Sequence, residues 1–243
     1  MIETKSAFHT VRLFATSLCW TDLVRVVLYC NYLGDKNSIP WYYFVEKGHS
    51  CQTDLTQSLE DLMAGMKSNT RNEIRRAIKE GCSFDVVSDV DEFIPFYNSF
   101  CKAKGLNDCV DRPRLLKYKN LLVTKSLHQG NALAMHANLL DPESHTALLI
   151  LSCSQRLDAG VDKKMIGWGN RFLHYKDLEY LKSKGYTLYD WSGVCLDPND
   201  ERYSIGQFKL AFGGKIVDGW SLESPLHHVF SRFSGLLSSL RRK

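Results

Sequence analysis

The chain has 243 residues, 44% hydrophobic and 24% charged, a globular composition that excludes disordered and collagen-like classes. A chain this long buries roughly 70% of its unfolded surface, so it needs no disulfide or metal staples. Its net charge of +4 falls short of the bias of a dedicated DNA binder and suits an anionic small ligand.

The eight cysteines are scattered, with no two-residue spacing of a zinc knuckle or redox motif, and read as thiols of a reducing compartment. Arg12, Asp22 and Arg25 interrupt the early apolar residues, so no signal-peptide core is present. No run approaches the ~18 apolar residues of a membrane span. The expectation is a cytoplasmic protein.

Residues 1–40 show no readable periodicity. Trp41–Val45 reads as a strand, followed by a turn at Lys47-Gly48. Ser58-Leu-Glu-Asp61 and Thr70-Arg-Asn-Glu73 each have the form of a capping box, in which side chains satisfy the free backbone donors of a helix start. The second predicts a helix over 71–80, stopped by Gly81. Its Ile74, Ala77 and Ile78 face the core, beside a basic stripe of Arg71, Arg75 and Lys79. A strand over 83–87, a helix over 92–104 and a short helix near 114–119 follow.

A strand over 120–126 precedes two apolar runs, 132–140 and 147–153, which flank Asp141-Pro-Glu-Ser144 and read as a β-hairpin. After a polar loop, Leu173, His174, Leu178 and Leu181 mark one face of a helix over 170–184. Then come a strand (187–191), a short helix (205–212) stopped by Gly213-Gly214, and a strand (215–220). From Leu226, an amphipathic helix carries Val229, Phe230, Phe233, Leu237 and Leu240. This order predicts a mixed α/β sheet, with a core domain over 55–243 and an N-terminal extension over 1–54 packed on it.

The segment richest in chemistry is Lys164-Met-Ile-Gly167-Trp168-Gly169, placed between a strand and a helix. Glycines there let backbone N–H groups converge, and a helix N-terminus behind them favours a phosphate. Lys163, Lys164 and Arg171 add charge. The plainer reading is a loop with solvated lysines.

These residues resemble the Arg/Gln-x-x-Gly-x-Gly/Ala loop with which the N-acetyltransferase (GNAT) superfamily binds coenzyme A, with Lys164 in place of Arg or Gln. A second likeness covers about residues 55–220. Asn69-Thr-Arg71, Glu73-Ile-Arg75-Arg76-Ala77, Tyr189-Asp190-Trp-Ser192-Gly193 and Ile205-Gly-Gln-Phe208-Lys209-Leu-Ala-Phe212-Gly213-Gly214 are similar to signatures of the FemAB-like, peptidoglycan-bridge branch. Asn170-Arg171-Phe-Leu173-His174 looks like its single-domain relatives.

The resemblance implies a GNAT-type, mostly antiparallel sheet flanked by helices, and acyl transfer to an amine without a metal. The donor would be acyl-coenzyme A, held by Lys164, Gly167, Trp168, Gly169, Asn170 and Arg171. Aminoacyl-tRNA is the alternative donor, although 243 residues leave little room for the doubled domain that usually goes with it. The acceptor would be an amino sugar or a lipid-linked cell-envelope precursor.

Lys209, Asp190 and His174 would stand at the reaction centre, with Arg71, Arg75, Phe208 and Ser192 toward the acceptor. Bland readings compete for each. Lys209 would be a surface lysine, Asp190 a turn cap, His174 and His136 core histidines, and the arginines a solvated face. The basic Arg241-Arg242-Lys243 suits an anionic membrane surface at the inner face of the membrane, while a core-packing helix with a basic end is the simpler alternative. A non-catalytic binding module, or an assembly protein on the same fold, completes the set.

Overall fold

A computed structural model describes residues 1–5, 9–155 and 162–240, with side chains described as far as residue 232. In chain order the elements are β1 (Ile2–Lys5), β2 (Thr10–Leu13), β3 (Val27–Cys30), β4 (Phe44–Asp54), α1 (Leu59–Gly65), α2 (Ser68–Lys79), β5 (Ser83–Val87), α3 (Val90–Lys104), α4 (Arg112–Leu116), β6 (Leu121–His128), β7 (Asn131–Asp141), β8 (Thr146–Ser154), α5 (Lys163–Ser183), β9 (Leu188–Gly193), α6 (Tyr203–Leu210), β10 (Lys215–Glu223) and α7 (Pro225–Leu240). Two 3₁₀ turns, Trp20–Val24 and Lys36–Ser38, lie among the first strands. The chain divides into unit one, Met1–Ser50 with Val217–Lys243, and unit two, Cys51–Ile216.

Unit two contains the strand order β4-β9-β8-β7-β6-β5. Pairing is antiparallel from β5 through β8, and β8 with β9 is parallel. On one face α1, α2 and α5 bury Leu62, Ile74 and Leu178 with Leu149, Trp191 and Phe212. On the other, α3 and α4 bury Phe93, Tyr97 and Leu115 against Val123 and Met135. Helices on both faces explain why β7 and β8 read as unbroken apolar runs rather than alternating ones. The mixed, mostly antiparallel sheet flanked by helices is the expected fold class.

Local chemistry sets the helix starts. The Ser58 hydroxyl accepts from the Asp61 N–H, so the first expected N-cap forms, with the Asp61 carboxylate on that hydroxyl rather than on the Ser58 N–H. The second does not. Helix α2 begins at Ser68 behind Lys67, which burial of Thr70 inside the first turn requires. Glu73 is drawn instead to Asn69 and Arg171.

A larger correction concerns α5. Asp162 caps it, accepting from the Lys164 and Met165 N–H groups at 2.8 and 3.3 Å, so the helix starts at Lys163 rather than Asn170. The loop expected at 164–169 is helix.

Unit one holds strands in the order β1-β2-β3-β10-β4. β2 and β3 run parallel, and β3 pairs with β10 through Tyr29 and Leu222. The strand expected at 41–45 begins at Phe44, leaving Trp41 93% exposed. Its core gathers Val27, Tyr29, Tyr32, Tyr43 and Leu222. Arg12, Asp22 and Tyr29 are buried together. The guanidinium donates to the Asp22 carboxylate and, at 2.6 Å, to the Tyr29 hydroxyl, and a 2.7 Å bond to Glu3 completes the set.

The α7 side chains at Phe233, Leu237 and Leu240, and the whole of Arg241-Arg242-Lys243, lie outside the described residues. Among the described residues, no helix is long and apolar enough to cross a membrane.

Candidate active site

The parallel pairing of β8 with β9 covers only Thr146–Leu148 against Leu188–Asp190, while β8 runs on to Ser154 and β9 to Gly193. One cause is visible in β8. Between Ala137 and Asn138 its register against β7 slips, and the extra residue bends the strand. The two strands therefore stop pairing toward their carboxyl ends, where open α/β sheets present ligands, and β8 runs on beyond Leu148 without a β9 partner among the described residues.

Lys209 and Asp190 meet at this end of β9. The Asp190 carboxylate is wholly buried, accepting from the Ser192 N–H at 2.7 Å and the Gln52 amide at 3.0 Å. The first bond closes a tight turn in which Ser192 adopts φ +70°, a conformation costly for a side-chain-bearing residue. That turn presents the Gly193 carbonyl, which accepts from Lys209 Nζ at 2.8 Å. Burial pushes the lysine below its ordinary value, and Asp190 and Cys51 oppose this. The Cys51 thiol, buried beside the same carboxylate, is pushed up to about 12 and stays protonated.

Behind β9 lies a second polar group. His174 is 2% exposed, ringed by Trp191, Phe208 and Phe212 at 5.1–5.5 Å, and among the described residues neither ring nitrogen has a hydrogen-bond partner. Burial, then the neighbouring His136, Lys209 and Arg171, hold it well below its ordinary value, so it is neutral. His136 overlaps it at 3.9 Å and bonds Asp177 through Nδ1 at 2.6 Å and Asn170 through Nε2 at 3.3 Å. Thr124 donates to the other Asp177 oxygen at 2.7 Å.

His136, His174 and Asp177 place ligand-capable atoms within 4.8 Å of one another. Both Asp177 oxygens are already engaged, one by Thr124 and one by His136. His136 and Asp177 form a hydrogen-bonded pair, and His174 packs on the His136 ring at a tilt of 31°.

The other expected residues separate into three places. Arg171 pairs with Glu73 at 2.8 Å and lies over the Phe208 ring, so with Asn170, His174, Phe208, Lys209, Asp190 and Ser192 it belongs to one neighbourhood. Lys164 is exposed on the first turn of α5, and Trp168 packs against the Arg76 guanidinium. Gly167 and Gly169 are helical. A Cβ on Gly169 would meet Leu133 at 2.4 Å, so that glycine serves close packing of α5 on β7.

Arg71 and Arg75 line a separate cavity of about 610 Å³ with Glu60, Met63 and Tyr175. There Arg71 also donates to the Ala64 and Met66 carbonyls, closing the end of α1.

Sequence reasoning passed over Asp177, Thr124, Gln52 and Cys51. For Asp177 a signal existed, since a carboxylate three residues after His174 shares its apolar face. Gln52 and Cys51 gave none, because only the pairing order brings β4 beside β9.

No protein-family model and no curated protein matches the sequence. Solved structures do. FemX aligns over 95% of this chain and 85% of its own, at 10% identity and a TM-score of 0.67. The C-terminal domain of a putative lysylphosphatidylglycerol synthetase from Agrobacterium fabrum aligns over 91% and 79%, at 13% identity and 0.64. L-PGS from Bacillus licheniformis aligns over 92% and 80%, at 13% and 0.56. The fold is shared with FemX. At such identities the FemX-type likeness establishes the architecture, and the chemistry has to come from the residues.

Proposed function

We propose that this chain transfers an acyl group from an activated ester or thioester to an amine, forming an amide. The observation that carries the reading is the edge of β8, which runs beyond its pairing with β9 toward a half-buried, carboxylate-flanked lysine. An extended donor laid along β8 beyond Leu148 uses the backbone groups of that edge, as an added strand does. Its carbonyl then lies near Lys209, whose ammonium stabilises the negative oxygen formed when the amine attacks. The leaving thiolate or alkoxide departs as that oxygen re-forms the carbonyl, and it takes up the proton that the attacking amine sheds. Asp190 positions Lys209 by fixing the Ser192–Gly193 turn. Arg71 and Arg75 suit an acceptor with phosphate groups, such as a lipid-linked amino sugar or cell-envelope precursor.

Acyl-coenzyme A is the first donor to try. One feature favours an aminoacyl ester instead. The Asp162 carboxylate already takes the N–H groups at the start of α5, where a pyrophosphate would sit. The shared fold of a protein named as a lysylphosphatidylglycerol synthetase supports the same alternative.

The decisive experiment offers the pure protein acetyl-coenzyme A or charged tRNA with a panel of amino sugars and lipid-linked precursors. Amide formation is followed by mass spectrometry. Product from either donor, lost in Lys209→Met, is the expected result. No product from any pairing, with a folded protein, overturns the proposal.

A further inference from the structure

Unit one contains a cavity that the acyl chemistry does not use. It measures about 320 Å³, at the small end of ligand sites. Its walls include Trp20, Tyr32, Tyr42 and Tyr43, with the hydroxyls of Ser17 and Ser38 among them, and no charged side chain lines it among the described residues.

The back wall is rigid. Tyr29, fixed by Arg12 and Asp22, stands edge-on to Tyr32 at 6.2 Å and to Tyr43 at 6.1 Å. The rim is open. Trp20 keeps 84% of its surface in water although it belongs to the same short turn as the wholly buried Asp22. Burial of Asp22 anchors that turn and leaves an aromatic face held at the mouth of an aromatic cavity.

We infer that this pocket binds a neutral saccharide ring. A sugar presents apolar C–H faces that lie against aromatic rings and a rim of hydroxyls that exchange hydrogen bonds with serine and tyrosine. Competing ligands fit less well. A nucleotide or free phosphate calls for cationic partners, which the lining lacks. A quaternary ammonium uses the rings but offers nothing to the polar groups of Ser17 and Tyr43 once water is displaced. The site lies within unit one and requires nothing of the reaction proposed above, so each can fail without the other.

The test titrates the full chain with methyl glycosides of glucose, galactose and N-acetylglucosamine, with choline and inorganic phosphate as controls. Tryptophan emission and calorimetry are the readouts. At least one glycoside should saturate in the millimolar range, and Trp20→Ala should weaken it about tenfold or more. Trp41→Ala removes an exposed ring outside the lining and should leave binding unchanged. Thermal melts check that both variants fold. Saturation by choline or phosphate alone, binding that survives Trp20→Ala, or silence across all the glycosides overturns the assignment.

Discussion

Each unit buries a polar cluster, and the two are built on opposite principles. In unit one, Arg12 is bonded to Glu3, Asp22 and Tyr29, so a charge taken out of water finds charged and hydroxyl partners around it. In unit two, His136 and Asp177 satisfy each other, but His174 lies over them with both nitrogens unpartnered in an aromatic cage. A buried polar group without partners costs stability, and folds keep few of them. The first cluster is organised to hold unit one together. The second gives up stability at the place where the strands part.

The sharpest way to break the comparison is to unbalance the first cluster. Arg12→Met leaves Asp22 buried without its cation and should cost about 3–5 kcal/mol in urea unfolding. A loss below about 1 kcal/mol would mean that the cluster is not the support described here.

Lys209→Met tests the second region for chemistry instead. Transfer should fall about 10²–10³-fold, as when an oxyanion partner is removed, with the melting temperature little changed. An equal fall in both activity and stability would reduce Lys209 to a structural residue.

The glycines of α5 make a finer contrast. Gly169→Ala forces a methyl into Leu133 and should destabilise by about 1–3 kcal/mol. At Gly167 the space is open, so Gly167→Ala should stabilise by about 0.5–1 kcal/mol. Thermal melts of the pair decide whether the two positions differ as their surroundings do.

The last effect, read against pH, belongs to His174. The folded protein keeps this group neutral, whereas the unfolded chain protonates it below about pH 6.5. Its native pKa is depressed, so its contribution to stability is full above pH 6.5 and is lost as pH falls, at up to about 1.4 kcal/mol per pH unit. His174→Phe should flatten that acid limb and, at pH 7, gain about 1–2 kcal/mol by removing unpartnered nitrogens from the cage. Activity lost while stability rises would mark His174 as functional. Unchanged activity would leave it as core.

Much of unit two was legible because its elements advertise themselves locally. The hairpin at Asp141–Ser144, the cap at Ser58 and the apolar face of α5 lie within a few residues of the structure they specify. The start of α5 was misread because two glycines and a run of lysines imitate a loop, while the deciding residue, Asp162, is one carboxylate in a polar stretch. Motif alone singled out Lys209 and Asp190, which the fold brings to the same end of β9. The cluster of Thr124, His136 and Asp177 was not, because its members come from two strands and a helix. Unit one was opaque for a related reason. Strands of four residues carry too little pattern, and Tyr29 takes its register from Leu222, far along the chain.

That distant pairing has a consequence for how the protein is made. Residues 1–50 are translated before unit two, yet their unit is completed by residues from 217 onward, so unit two can be made in full while β3 still lacks its β10 partner. Contacts between such remote segments close slowly, and an unpaired strand edge is open to the wrong partner meanwhile. Residues 1–50 are made before unit two, but unit one is finished after it.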